Sequence, residues 1–537
     1  MKHLKNILII FCTSLLVSYT AEAQNNHPNK NPFLSDSNWP IGHTNSAQTN
    51  ATPQNGPVDI TRELTADEVQ YQDLGQFQLG QVISGQYENG KRVIWCNGSS
   101  FVAKIDYDNY NIISTLRITD VVESSGQHEA LIDLLDSKAS LKTKIQTSFK
   151  SGISGLSSVY ILIDKENHFL AATPRTIKMY GDVVEGDMYS GIKVIKEFTL
   201  PEAATGKITG MNMTYDGHIV VVTNDGFVVA INSDFTTSTT LELKYRNEGI
   251  NNDQIKFVRN SLAVDDNGGI YIASLNHMHK IIWTGNSLSN NEKEGAWVAE
   301  YPNSFGLGTG STPALMGFED GEDQFVVITD GDSVMNMTLF WRNEIPSDWN
   351  GIEGMKSKRI AASAPVNFGK ENVDYVQQEQ GVTIDGYGMI VVNNVPKNVP
   401  KKIKEAAKEK PVAMWLFMGY MNGNKMFAPK GIEKMVWNSK TRAIEVAWIN
   451  HDVSDPTCVP FVATGNEMFY TIGSRDNKFT FEGINAKTGE SVFHYVIGGS
   501  RYNGFYSAPT LDLDGRILYG GLWGVVRLSP KKIEKSK

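Results

Sequence analysis

Apolar and polar residues alternate along most of this chain with a period of two, in short runs broken by Asp, Asn and Gly. That is the pattern of half-buried strands joined by tight turns. One unit recurs: an apolar strand, an Asp/Asn/Gly turn, a strand rich in Val, Ile and Tyr, a polar break and a third alternating strand. "GMNMTYDGHIVVVTNDGFVVAIN", "NSLAVDDNGGIYIASLNHMHKIIW" and "GSTPALMGFEDGEDQFVVITDGDSVMNMTLFW" show it most clearly, and "SSVYILIDKENHFLAATPRTIKMY" more loosely. Turns such as "YDG", "DNGG" and "LDG" suit hairpins because Gly and Asn accept positive φ. Eight such units, roughly 50 to 80 residues apart, predict an all-β fold. The expectation is a single β-propeller of eight four-stranded blades, with seven, or six with long insertions, as alternatives. The last unit, "SAPTLDLDGRILYGGLWGVVRLSP", has three clear strands. Its outer strand is expected from "VDITRELTADEVQYQDLGQFQLGQVIS" near the N-terminus, which would close the ring.

Two segments break the rhythm. "VVESSGQHEALIDLLDSKASLKTKIQTSFK" sets Leu131, Leu134 and Leu135 at helical spacing and predicts a helical insertion near 121–150. "KNVPKKIKEAAKEKPVAMWLFMGYMNGNKMFAPKG", near 395–430, is expected to start as a basic helix and end in a Met- and aromatic-rich hairpin. Its lysines read as a solvated face. Its apolar stretch reads as packing on the propeller, ahead of an oligomer contact or a lid over the central funnel.

The N-terminus changes the picture by adding a compartment. "MKHLKNILIIFCTSLLVSYTAEAQ" has Lys2 and Lys5, an apolar run from Ile7 to Val17, and Ala21 and Ala23. This is the form of a secretory signal peptide over 1–23, so a periplasmic or secreted protein is expected. The Asn-, Pro- and Thr-rich 24–57 reads as an extended leader lying on the body, with the propeller from 58 to 537. No later stretch is apolar for the ~18 residues of a membrane span. The net charge of −9, with both signs interspersed, argues against a nucleic-acid partner. Cys96 and Cys458 are far apart in the chain and read as buried hydrophobes, although export permits a disulfide.

"WPIGHTNSAQ" ahead of the first unit resembles the Trp-Pro opening of many quinoprotein-like propellers. "INAKTGESVFHYVIGG" resembles their tryptophan-docking repeat, matched at Ala486, Lys487, Thr488, Gly489, Phe493 and Tyr495, with Phe493 where the docking Trp comes. For the dehydrogenases of that family the resemblance implies a pyrroloquinoline quinone near the axis, a calcium ion, a catalytic Asp and an adjacent Cys–Cys pair. Cys96 and Cys458 are not adjacent and one docking repeat stands out. The resemblance is therefore better to the broader superfamily outside the dehydrogenases, many of whose members carry no cofactor, with a quinone-dependent dehydrogenase as the third reading behind ligand binding and scaffold.

A propeller lets candidate residues be placed at one mouth of the funnel, where innermost strands begin and second strands turn into third. The metal reading groups Glu379, Asp330 and Asn394, hard oxygen ligands that suit Ca2+. Glu379, Asp330 and His277 are the candidate catalytic residues, since a funnel cation can lower the pKa of a bound water. Arg259, Asn260, Thr312, Arg475 and Trp523 are the candidate ligand-binding residues, with the arginines suited to a carboxylate or sugar acid. The competing readings are a turn that uses Asp330 and Gly331 for geometry, a solvated strand end for Glu379, and surface roles for the arginines. His277 and His279 alternate on one strand face but have no third histidine beside them for zinc. No Gly-x-Ser-x-Gly, His-Glu-x-x-His or P-loop motif occurs. The sequence thus points to a propeller that binds a small polar or carbohydrate-like ligand, with cation-assisted hydrolysis, lactone opening or elimination as the chemistry. A non-catalytic scaffold in the cell envelope is the alternative.

Overall fold

The computed structural model describes residues 27–76, 80–118, 125–151, 160–250, 255–410 and 412–531. The predicted signal peptide lies outside the described residues. The described strands form eight sheets, each built on an antiparallel run of four. The first strands of the sheets are Gly80–Ile83, Ile161–Ile163, Ile208–Met213, Val258–Val264, Ala314–Met316, Thr383–Asp385, Phe461–Ala463 and Thr510–Leu511. First strands of several successive sheets touch, and Gly80 bridges Ala508 to bring the last sheet beside the first. The fold is a β-propeller, as the repeat predicts.

Aspartates and asparagines fix the turns. Asp265 Oδ1 accepts the backbone N–H groups of Asn267 and Gly269, and Asp512 Oδ1 those of Asp514 and Arg516. Each carboxylate replaces a carbonyl that the tight turn cannot supply. Asn438 and Asn485 do the same between third and fourth strands of successive sheets. Aromatic residues then fill the gaps between sheets. Trp341 and Trp437 meet edge to face at 5.9 Å between the fifth and sixth sheets. At about 200 Å2 of ring surface, each contributes roughly 5 kcal/mol of transfer free energy.

The leader, expected as an extended segment lying on the body, runs along the innermost strands of the ring. Asn38 Nδ2 donates to the carbonyl of Leu511 in the eighth sheet. Backbone N–H groups of Ile83 and Ile163 donate to the carbonyls of Trp39 and Pro40 at 2.9 and 2.7 Å. Those of Val264, Leu315, Ile384 and Val462 donate to Ser46, Ala47, Thr49 and Asn50 at 2.8, 3.0, 2.9 and 2.9 Å. Asn212 of the third sheet also reaches the Ser46 carbonyl. The first strand of every sheet is therefore met in ring order by residues 38–50. An innermost strand has one edge paired within its sheet and one edge facing the axis. The leader makes one turn around that axis and covers the free edge, and His43, Thr44, Gln48 and Asn50 adopt positive φ to do so. Leaving a buried N–H unpaired costs about 1–3 kcal/mol, so this ring is part of the fold.

Beyond the ring the chain follows the seventh sheet, pairing Ala51–Thr52 with its first strand and Arg62–Glu63 with its fourth. Val69–Gln72 then pairs antiparallel with Val525–Leu528 and supplies the outer strand missing from the last unit. The insertions form four helices, α1 (Ser125–Asp136), α2 (Leu141–Ser151), α3 (Lys401–Glu409) and α4 (Val412–Met421). "MWLFMGYM" is thus a helix, and the hairpin expected there does not form. Leu131, Leu135, Ile403, Phe417 and Tyr420 pack together on Phe505 and Trp523, so the two insertions join as one cap over part of a propeller face.

Candidate functional site

The leader meets the innermost strands near their C-terminal ends, so the other mouth is where those strands begin. There the fourth sheet breaks register: Val258 pairs with Ser274 and Leu262 with Ile272. Arg259, Asn260 and Ser261 bulge out of the ladder, and a bulge re-aims the side chains it carries. Arg259 Nη1 donates to the Leu307 carbonyl at 3.1 Å, and Asn260 Nδ2 to the Thr309 carbonyl at 3.0 Å. Arg259 Nη2 reaches Glu379 Oε2 at 3.2 Å and Oε1 at 3.4 Å. The Glu379 charge raises the pKa of Arg259. Glu379 begins the approach to the sixth sheet, and its backbone N–H donates to Asn394 Oδ1.

Two glycines allow this approach. A Cβ on Gly210 would lie 2.4 Å from Ser261 Cα, and one on Gly310 would lie 2.1 Å from the Gln378 carbonyl oxygen. Both side chains of the pair stay part-open, 27 % for Arg259 and 34 % for Glu379. Tyr506 and Tyr375 feel both charges, and burial raises the phenol pKa of each, to about 12 for Tyr375. Tyr506 stacks on Trp415 of α4, and Tyr375 packs against Phe305 at 5.2 Å. Tyr160 Oη and Thr312 Oγ1 are 3.4 Å apart, and the Tyr160 ring stacks on His43 of the leader. Lys256 has its pKa lowered by burial and by the nearby charges of Arg259 and Lys207. The mouth therefore combines aromatic rings with charged side chains.

Of the predicted site residues, the structure brings together Arg259, Glu379, Asn260, Thr312 and Asn394, while the rest are engaged by other groups. Asp330 holds its own turn, accepting from the N–H groups of Asp332 and Asn336 and from Asn336 Nδ2. It is buried, which pushes its pKa up to about 6. The turn reading of "TDGDS" is the one the geometry supports. His277 stacks on Tyr245, and burial lowers its pKa. His279 donates to or accepts from Ser274 Oγ and is pushed down to about 3 by burial. Arg475 is committed to Glu482 through Nε and Nη2, both at 2.8 Å. Trp523 is buried beneath the cap with its N–H on the Ser500 carbonyl.

The calcium set does not form as predicted. Asn394 spends Oδ1 on the Glu379 N–H and Nδ2 on the Asp455 and Pro456 carbonyls. A cation at Glu379 would have to displace a guanidinium. No group of three His, Cys, Asp or Glu suited to a metal occurs among the described residues. Cys96 and Cys458 are buried free thiols, so the adjacent cysteine pair that the quinone-dehydrogenase resemblance implies has no counterpart here.

What sequence reading missed are the glycines and tyrosines that shape the mouth. The docking turn also works differently. The indole of Trp448 from the sixth sheet packs over Gly489, 2.5 Å from where its Cβ would stand, and its N–H donates to the Ala486 carbonyl. The docked ring comes from the preceding sheet, and Phe493 packs within its own sheet at 4.8 Å from Tyr495.

No family model matches the chain. An uncharacterized protein of Archaeoglobus fulgidus is 33% identical over 512 residues, covering 93% of this chain and 89% of that one. The chain belongs to that protein's family. Among solved structures, a quinohemoprotein alcohol dehydrogenase from Comamonas testosteroni superposes with a TM-score of 0.51 at 10% identity, over 93% of this chain and 82% of that one. Another, from Pseudomonas putida HK5, gives a TM-score of 0.50 at 12% identity, over 94% and 82%. The likeness shows a β-propeller fold for this chain and nothing about its chemistry.

Proposed function

We propose that this is an exported propeller that binds a small polar, carbohydrate-like ligand at the mouth its leader leaves open. The observation that carries the reading is the part-exposed Arg259–Glu379 pair, set at the axis and walled by Tyr506, Tyr375 and Tyr160. Aromatic walls offer faces for a sugar ring, and a few placed polar groups orient it. A signal-type N-terminus supports export. Binding is favoured over cation-assisted hydrolysis or lactone opening because Glu379, Asp330 and Asn394 are each engaged by protein groups. The test is calorimetric titration of the purified protein with a panel of neutral sugars and sugar acids. A binder should lose most of its affinity on Tyr506→Ala. A panel that is silent throughout would favour the scaffold, with ligand-free assembly in the envelope as its role.

A further inference from the structure

Arg259 is aimed before any ligand arrives. Its bulge and the Leu307 carbonyl fix the guanidinium at Nη1, while Nη2 alone reaches Glu379. The two carboxylate distances, 3.2 and 3.4 Å, exceed the 2.7–2.9 Å usual for charge-assisted bonds. By contrast, Arg475 meets Glu482 through two nitrogens at 2.8 Å each, with Glu482 1 % exposed. Nε of Arg259 has no protein partner among the described residues. Lys256 adds a second positive charge close to the Arg259 guanidinium.

We propose that Glu379 is a built-in stand-in for the ligand's own carboxylate, holding Arg259 until an incoming sugar acid or similar small carboxylate displaces it. The inference rests on the binding reading above and names the ligand class of that site. Arginine's planar fork matches a carboxylate in two-point geometry, and Glu379 takes that position only loosely. A residue that competes with the ligand lowers the apparent affinity by the fraction of protein in which Arg259 is free. It also imposes a threshold: neutral sugars cannot release the latch, because they offer the guanidinium nothing in exchange for a carboxylate.

The experiment is calorimetric titration of the full chain, as wild type, Glu379→Gln, Arg259→Met and the double variant. The probes are D-galacturonate and D-glucuronate beside D-galactose and D-glucose, with melting temperatures as a folding control. Glu379→Gln should tighten the uronates about fivefold to tenfold, as expected for removal of a part-exposed ion pair and a like charge. The neutral sugars should not change, and Arg259→Met should remove uronate binding in both backgrounds. If Glu379→Gln leaves uronate affinity unchanged or weakens it while Arg259→Met removes it, the latch is wrong and the binding reading stands. If neutral sugars and uronates bind alike and Arg259→Met has no effect, the ligand class is wrong. If no sugar binds any folded variant, both fall together.

Discussion

The two ends of the axial channel are made from the same eight strands, yet their polar groups are satisfied in opposite ways. At one end, backbone N–H groups of six innermost strands are taken up by leader carbonyls between Trp39 and Asn50. The backbone donors there are already paired within the fold. At the other end the polar groups are side chains, part-exposed, and joined across the opening by Arg259 and Glu379. Backbone pairing is insensitive to which side chains are present, so it suits a structural seal. Side-chain pairing is specific, adjustable and weaker, and it suits recognition. A second contrast lies within the mouth face itself. Arg475–Glu482 is a tight two-nitrogen pair backed by Thr480, whereas Arg259–Glu379 is loose and open. One guanidinium is committed to the fold and the other is held in reserve.

Removing the seal should have the largest effect. A chain lacking 27–57 loses the partners of all those axial N–H groups, and the expected outcome is loss of cooperative unfolding by circular dichroism and calorimetry. A truncated protein with the melting temperature of the full chain would show the ring to be dispensable.

The tight pair comes next. Glu482→Gln leaves Arg475 without its counter-charge against a buried partner, and should cost about 3 kcal/mol in urea unfolding. An effect as small as that of Glu379→Gln would erase the distinction between the two pairs.

A buried acid beneath the mouth provides a pH test. Asp455 is fully enclosed, accepting from the Cys458 N–H and paired with Thr471, and burial raises its pKa to about 8. An unfolded aspartate titrates near ~3.9. Between those values the folded state holds a proton that the unfolded state has lost, so stability falls as pH rises from about 4 to about 8. Asp455→Asn should flatten that slope in denaturation curves taken across the range. An unchanged slope would place the proton elsewhere.

Glu379→Gln should have the smallest effect on stability, under about 1 kcal/mol, because both partners are part-solvated. A loss of several kcal/mol in the same urea experiment would make this pair structural and bring the two ends of the channel together in kind.

Much of this was legible in one dimension. Period-two alternation and Asp/Asn/Gly turns gave the sheets, and the incomplete last unit gave the strand exchange realised by Val69–Gln72. Those signals are local, because strand faces and turn dihedrals depend on near neighbours. Leu131, Leu134 and Leu135 announced a helical insertion for the same reason. "MWLFMGYM" did not announce α4, since an unbroken apolar run has no period to read. At the mouth, Arg259 and Glu379 could be nominated from strand position, but so could Arg475, Trp523 and Asp330. Only the fold shows that the latter three are occupied by Glu482, the cap and the hairpin itself.

The sequence by itself determined the repeating sheets, the turns, the closing strand and the set of polar residues able to reach one mouth. Tertiary structure decided which of them meet. Arg259 and Glu379 are 120 positions apart, and Gly210 and Gly310 let the backbone segments around them approach within contact distance. It also turned the leader, whose Asn, Pro and Thr content reads as solvent-loving, into the innermost layer. Composition records what a segment would do in water, and here the partner is the free edge of the innermost strands, six of which need backbone carbonyl groups that every residue carries.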